Sequence, residues 1–139
     1  MDDRSPRSRK PLYVFVLPAL FLLAGIGADQ ARAQSMALAA KGQKIFFKVC
    51  VQCHTLQEKN QASGPGLAGV LERVPSEDWL MQWLKNPEEL LKDGDSYAQK
   101  ISDEYPLDMP KLQVMQSASN RKAILVFLKQ MRAQNRASQ

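Results

Sequence analysis

The chain has 139 residues, 24% of them charged and 45% apolar, which bounds it to one small domain once any leader is set aside. A formal charge of +5 invites a nucleic-acid reading. Binders of that kind carry a stripe of Arg and Lys interleaved with aromatics, and here the lysines are scattered and the arginines few.

The N-terminus reads as an export leader. Arg4, Arg7, Arg9 and Lys10 form a basic start, and an apolar run from Leu12 to Ile26 follows, broken only by Pro18 and Gly25. Ala31-Arg32-Ala33 then offers a small-x-small cleavage site. The expectation is a secretory signal peptide over residues 1–33 and a mature domain over 34–139, beginning at Gln34 and exported through the general secretory route to the periplasm. No adjacent arginine pair suggests a twin-arginine signal. The run is short for a membrane span, which wants about 20 residues, so an uncleaved anchor is the alternative. The leader holds five Lys/Arg and three Asp/Glu, which leaves the mature part formally at +3.

From about Met36 to Cys53 the pattern predicts a first helix, with Leu38, Gly42, Ile45 and Val49 on one face and Phe46 beside them. Gly42 weakens a helix, which implies that another backbone comes close there. The helix runs into Cys50-Val51-Gln52-Cys53-His54, which holds the only two cysteines and the only histidine of the chain. Two thiols at that spacing can each add across a vinyl group of haem, and the adjacent imidazole can then ligate the iron. A zinc site wants four protein ligands, or three and an open position, and nothing nearby supplies them. A thioredoxin-like pair wants a βαβ context, and no strand pattern flanks this one.

A loop from Thr55 to Val74 follows, rich in turn chemistry at Gly64-Pro65-Gly66 and Gly69. Ser76 is placed to cap a second helix, with Glu77 and Asp78 in its first turn and Leu80, Trp83 and Leu84 on its inner face. Asn86 then caps a short helix with Pro87 at its first position and Glu89 three residues past the cap. Asp93 to Glu104 reads as a polar stretch leading to Tyr105-Pro106-Leu107-Asp108-Met109-Pro110. Ser117 or Ser119 opens the last helix, on which Ile124, Phe127, Leu128 and Met131 recur at helical spacing.

A single histidine excludes bis-histidine ligation within one chain. Met109 is the choice for the second iron ligand, because Pro106 and Pro110 keep its segment stiff and irregular. Met115 is the competitor, and an open or water-ligated iron is the further alternative.

Taken together these residues resemble class I cytochromes c. Lys41 to Phe46 and Gln52-Cys53-His54-Thr55 are similar to the first helix and attachment site of the mitochondrial type. Gly64-Pro65-Gly66-Leu67-Ala68-Gly69 is similar to the family's Gly-Pro-x-Leu-x-Gly, and Trp83-Leu84-Lys85-Asn86-Pro87 to its aromatic-Leu-x-Asn-Pro. Met109-Pro110 fits the family's axial methionine. The resemblance implies a small all-α cytochrome c fold, three to four helices and loops wrapped around one haem c held by Cys50 and Cys53. It also implies that the Pro65 carbonyl orients the ring of His54, that Leu67 lies against the haem and Arg73 near a propionate, and that Trp83 sits on the methionine side. Gly42 would mark the crossing of the first and last helices, with Phe46 and Phe127 packed there. The segment between Pro87 and Met109 is longer than in the mitochondrial type. Tyr97 and Tyr105 within it either reach a propionate or pack as ordinary loop residues.

The function expected is one-electron transfer, not enzyme catalysis, by a monomer that meets redox protein donors and acceptors. Lys41, Lys48, Lys59, Lys85 and Lys111 are candidates for steering them. The alternatives are a haem c subunit of a larger respiratory, sulfur-oxidising or denitrifying complex, and an open-site haem protein that binds small ligands.

Overall fold

Residues 16–57 and 63–137 are described in a computed structural model of the protein, with side chains placed between Gly27 and Gln134. The basic start at Arg4 to Lys10 and the loop tip with Lys59 lie outside the described residues. The chain divides into two compact units, Met1–Gln34 and Ser35–Gln139. In the first, the described residues belong to helix α1 (Val16–Lys48), and the side chains from Gly27 onward are exposed. Among the described residues no helix is long and apolar enough to cross a membrane.

The second unit is all-α, as its periodicities require. It holds residues 35–48 of α1, then α2 (Val70–Arg73), α3 (Glu77–Lys85), α4 (Pro87–Lys92), α5 (Ser96–Glu104) and α6 (Ala118–Ala137), with 3-10 turns at Cys50–Gln52 and Gln113–Gln116. No strand occurs among the described residues. Helix starts follow the capping chemistry. Ser76 Oγ accepts from the Trp79 amide at 3.0 Å, and Asp95 Oδ1 accepts from the Ala98 amide at 2.8 Å. At α4 the cap is reworked: Asn86 Nδ2 donates to Glu89 Oε2 at 3.2 Å instead of Asn86 accepting from the backbone. Ser117 opens α6 through the Asn120 amide.

Three boundaries differ from the sequence pattern. The first helix begins at Val16 rather than at about Met36, and it ends at Lys48 because the chain tightens into a 3-10 turn at the cysteines. The loop after Thr55 contains the single helical turn of α2. The polar stretch before Tyr105 contains α5, which buries Ala98 completely and packs Tyr97 edge-on against Trp79, with ring centroids 5.0 Å apart at 89°.

Helix α1 meets α6 where Gly42 lies. A methyl group there would overlap the Ala123 carbonyl and stand 2.8 Å from Phe127 Cβ, both backbone-fixed obstacles. The buried stripe of α1 is therefore Ala39, Gly42 and Phe46, while Leu38, Ile45 and Val49 are only half-buried. Phe46 and Phe127 pack beside the crossing with centroids 5.6 Å apart. Surface ion pairs from Lys129 to Glu77 and from Arg132 to Glu72 join α6 to α3 and α2, and exposed pairs of this kind add little stability.

Gly42→Ala should destabilise the loaded protein by about 1–3 kcal/mol, because overpacking at the crossing outweighs the helix propensity gained. Guanidinium unfolding followed by circular dichroism measures it.

Candidate functional site

The attachment motif is shaped by its turn. The amides of Cys53 and His54 both donate to the Cys50 carbonyl, at 3.1 and 2.9 Å, which turns the two thiols and the imidazole toward one wall. The next loop is hydrogen-bonded onto this turn. Gly64 N donates to Cys53 O, Leu67 N to Thr55 O and Ala68 N to Gln57 O, at 2.9, 2.9 and 3.2 Å. Those bonds bring the Pro65 carbonyl to 2.8 Å from His54 Nδ1. A carbonyl only accepts, so Nδ1 carries the proton and Nε2 keeps its lone pair for a metal. Gly64 leaves room for the ring, since a methyl there would stand 2.8 Å from His54 Cε1.

These groups open onto a cavity of about 730 Å³. Its walls include each residue the sequence singled out for the site: Cys50, Cys53, His54, Pro65, Leu67, Arg73, Trp83 and Met109. Arg73 is clipped to the loop beneath it, Nη1 donating to Ala68 O and Nη2 to Gly66 O, both at 2.5 Å. Met115, the competing methionine, is fully buried elsewhere in the core. Its turn is pinned by Arg121 Nη1 on its own carbonyl at 2.6 Å and by Asn120 Nδ2 on the Val114 carbonyl at 2.8 Å. Met36 is exposed, and Met131 packs at the core edge beside α2.

Several wall residues were not singled out as site residues. Trp79 stacks on Trp83 with centroids 5.3 Å apart and planes 13° apart, and both line the cavity. Lys100, Ser102 and Asp108 line it from α5 and the Met109 segment. The Asp95 cap and the spacing of Tyr97, Ala98 and Ile101 were the available signal for that helix.

The walls fit a haem. They are largely apolar, as a macrocycle needs, yet Trp79 Nε1 is buried among them with no partner, an orphaned donor suited to a carboxylate. Near it burial raises the Tyr97 phenol above its usual range while Arg73 pulls the other way and Glu104 and Tyr105 push it up. Burial, then the Glu104 charge and hydrogen bond, raise Tyr105. Both phenols therefore stay protonated donors at neutral pH. Burial pushes the Cys50 thiol up to about 11, so it is not the low-pKa thiolate of a redox pair. Among the described residues no group of three His, Cys, Asp or Glu side chains has the arrangement to hold a metal ion by itself.

Comparison with solved structures finds the same fold. A cytochrome c from Rhodothermus marinus is 25% identical with a TM-score of 0.60, the alignment covering 71% of this chain and 80% of that one. An engineered form of that cytochrome, bound to a carbene intermediate, is 26% identical at a TM-score of 0.58, with 70% and 80% covered. The cytochrome c domain of a Pseudomonas putida protein is 28% identical with a TM-score of 0.57, and 70% of this chain covers 95% of that domain. The family binds haem c through covalent bonds, and this chain's two cysteines stand in the attachment pattern. The sequence model of cytochrome c matches residues 39–132, a span holding every cavity wall just described, and the chain accordingly belongs to the cytochrome c family as a class I c-type cytochrome with covalent haem c.

Proposed function

We propose that the protein is a periplasmic one-electron carrier in which His54 and Met109 would hold the haem iron. The observation that carries this reading is that Met109 is the one methionine among the described residues lining the cavity, which it shares with His54. Bound there, haem c supplies a one-electron ferric–ferrous couple.

The rest falls to the chain's own residues. Cys50 and Cys53 tether the group, and the Pro65 carbonyl fixes the tautomer and angle of His54. Met109 presents a soft thioether that favours the ferrous state and raises the potential. Leu67 and the stacked Trp79 and Trp83 keep water away. Trp79 and Tyr97 offer donors, and Arg73 a positive charge, to the haem carboxylates, while the Tyr105 hydroxyl is engaged with Glu104. His54 and Met109 would hold the iron from two positions set by the fold, so the chain itself would need little rearrangement.

Residues 1–33 act as the export signal and are cut before Gln34. The exposed side chains from Gly27 to Ala37 support this, as does the division of the compact units after Gln34. Redox proteins dock beside the attachment turn, where Phe47 and Val51 are 55% and 46% exposed next to Lys48. Lys41 donates to Ser119 Oγ at 2.9 Å, a neutral partner that leaves its charge in place for steering. The same apolar pair supports a second reading, a haem subunit held in a larger complex. Size fractionation of the native protein separates the two: elution at single-chain mass supports the carrier, and a stoichiometric partner supports the subunit.

Replacing both Cys50 and Cys53 with Ala should abolish haem retention through acid–acetone extraction, and either single change should weaken it. The intact mass of the exported protein should equal residues 34–139 plus one haem. A membrane-bound product retaining residues 12–26 would point to an anchor instead. Met109→Ala should lower the potential and admit CO to the reduced protein. Met115→Ala should cost about 2 kcal/mol or more of stability, as emptied core positions do, and leave both properties unchanged.

A further inference from the structure

The segment that carries Met109 is held by the packing of Met109 itself against the core and by one side-chain hydrogen bond. Between the end of α5 and the 3-10 turn at Gln113–Gln116, Pro106 to Lys111 make no backbone hydrogen bond among the described residues. Pro106 and Pro110 have no amide to give, Leu107 is 63% exposed, and Asp108 and Pro110 are exposed as well. The single hydrogen bond reaching these six residues is from Ser102, whose Oγ–H donates to Asp108 Oδ1 at 2.5 Å. That length is in the range of a charge-assisted bond between hydroxyl and carboxylate.

The two ends of this bond differ in rigidity. Ser102 lies in the last turn of α5, which is anchored through fully buried Ala98, the Asp95 cap and the edge of Tyr97 against Trp79. Asp108 lies in the segment that lacks backbone hydrogen bonds, directly before Met109. Both line the haem cavity. A loop with few packed contacts opens readily unless tied, and dissociation of Met109 requires this one to move outward.

We propose that Ser102 is a positioning residue: its hydrogen bond to Asp108 latches the Met109 segment onto α5 and sets how often the thioether leaves the iron. The proposal rests on the reading of Met109 as axial ligand. Its effect falls on ligand exchange, in which the iron–sulfur contact is replaced by one to an incoming base with no change of oxidation state.

The test is stopped-flow binding of imidazole to the oxidised, haem-loaded protein. At saturating imidazole the observed rate is limited by departure of the methionine segment. Ser102→Ala should raise this limiting rate roughly 3- to 10-fold, the loss expected for one partly exposed hydrogen bond. Ser102→Thr keeps the hydroxyl and should stay close to wild type. Asp108→Ala should match Ser102→Ala, and the double variant should be no faster than either single one, because both remove the same bond. The guanidinium midpoint should fall only by as much as that same 3- to 10-fold change accounts for, and equally in Ser102→Ala and Asp108→Ala; a larger fall would mean general loosening of the fold and would overturn the latch. An unchanged limiting rate in Ser102→Ala, or additive effects in the double variant, overturns the latch. Met109→Ala serves as the reference: if its imidazole kinetics equal those of wild type, the ligand assignment fails and the latch fails with it. Fast binding in Met109→Ala with an unaltered Ser102→Ala defeats the latch alone.

Discussion

A domain of about a hundred residues whose helices line an open, largely apolar cavity of about 730 Å³ leaves much of its interior to something other than its own side chains. Protein interiors tolerate few voids larger than a water molecule. Left without haem, the cavity would expose its apolar walls to water, and a domain this small has little other burial to offset that. The covalent haem is therefore a structural member as well as a cofactor. The helices act as walls, and their contacts with one another are confined to a few close places.

The arrangement of those walls explains why so few residues carry so much. At Gly42 the absence of a side chain lets α1 approach the Ala123 backbone of α6, which brings Phe46 against Phe127 and closes one side of the cavity. At Gly64 the same absence lets the loop lie against the His54 ring, so that Pro65 can orient it. Opposite demands meet at Met109. The segment is stiffened by two prolines yet makes no backbone hydrogen bond among the described residues; Met109 packs on the core, and Ser102 of α5 reaches it through Asp108. The tryptophan stack links these parts, since Trp79 touches Trp83 on one side and Tyr97 of α5 on the other.

Much of this was legible in the sequence, and for chemical reasons. Two thiols and an imidazole at a fixed spacing admit few uses, so Cys50, Cys53 and His54 located the site directly. Met109 stood out as a candidate because prolines on both sides exclude helix and sheet, and it lies on the cavity wall; Gly42 was legible because a glycine in an apolar helical stripe needs a reason. Ser76 and Asn86-Pro87 marked helix starts through capping chemistry. The polar content of Asp93 to Glu104 hid α5, since Lys100, Asp103 and Glu104 dilute a stripe carried only by Tyr97, Ala98 and Ile101. The contact of Ser102 with Asp108 spans a loop of irregular backbone, where no periodicity exists to read. The Trp79 stack depends on side-chain angles, which spacing alone does not set.

The central claim, that haem completes the core of this chain, is tested most directly by far-UV circular dichroism and amide hydrogen exchange on the chain produced without haem attachment. The account predicts loss of a cooperative thermal transition and fast exchange through α3, α5 and α6, because the walls then bury little against one another. A haem-free chain that melts cooperatively within a few degrees of the loaded protein, with those helices still protected, would contradict it.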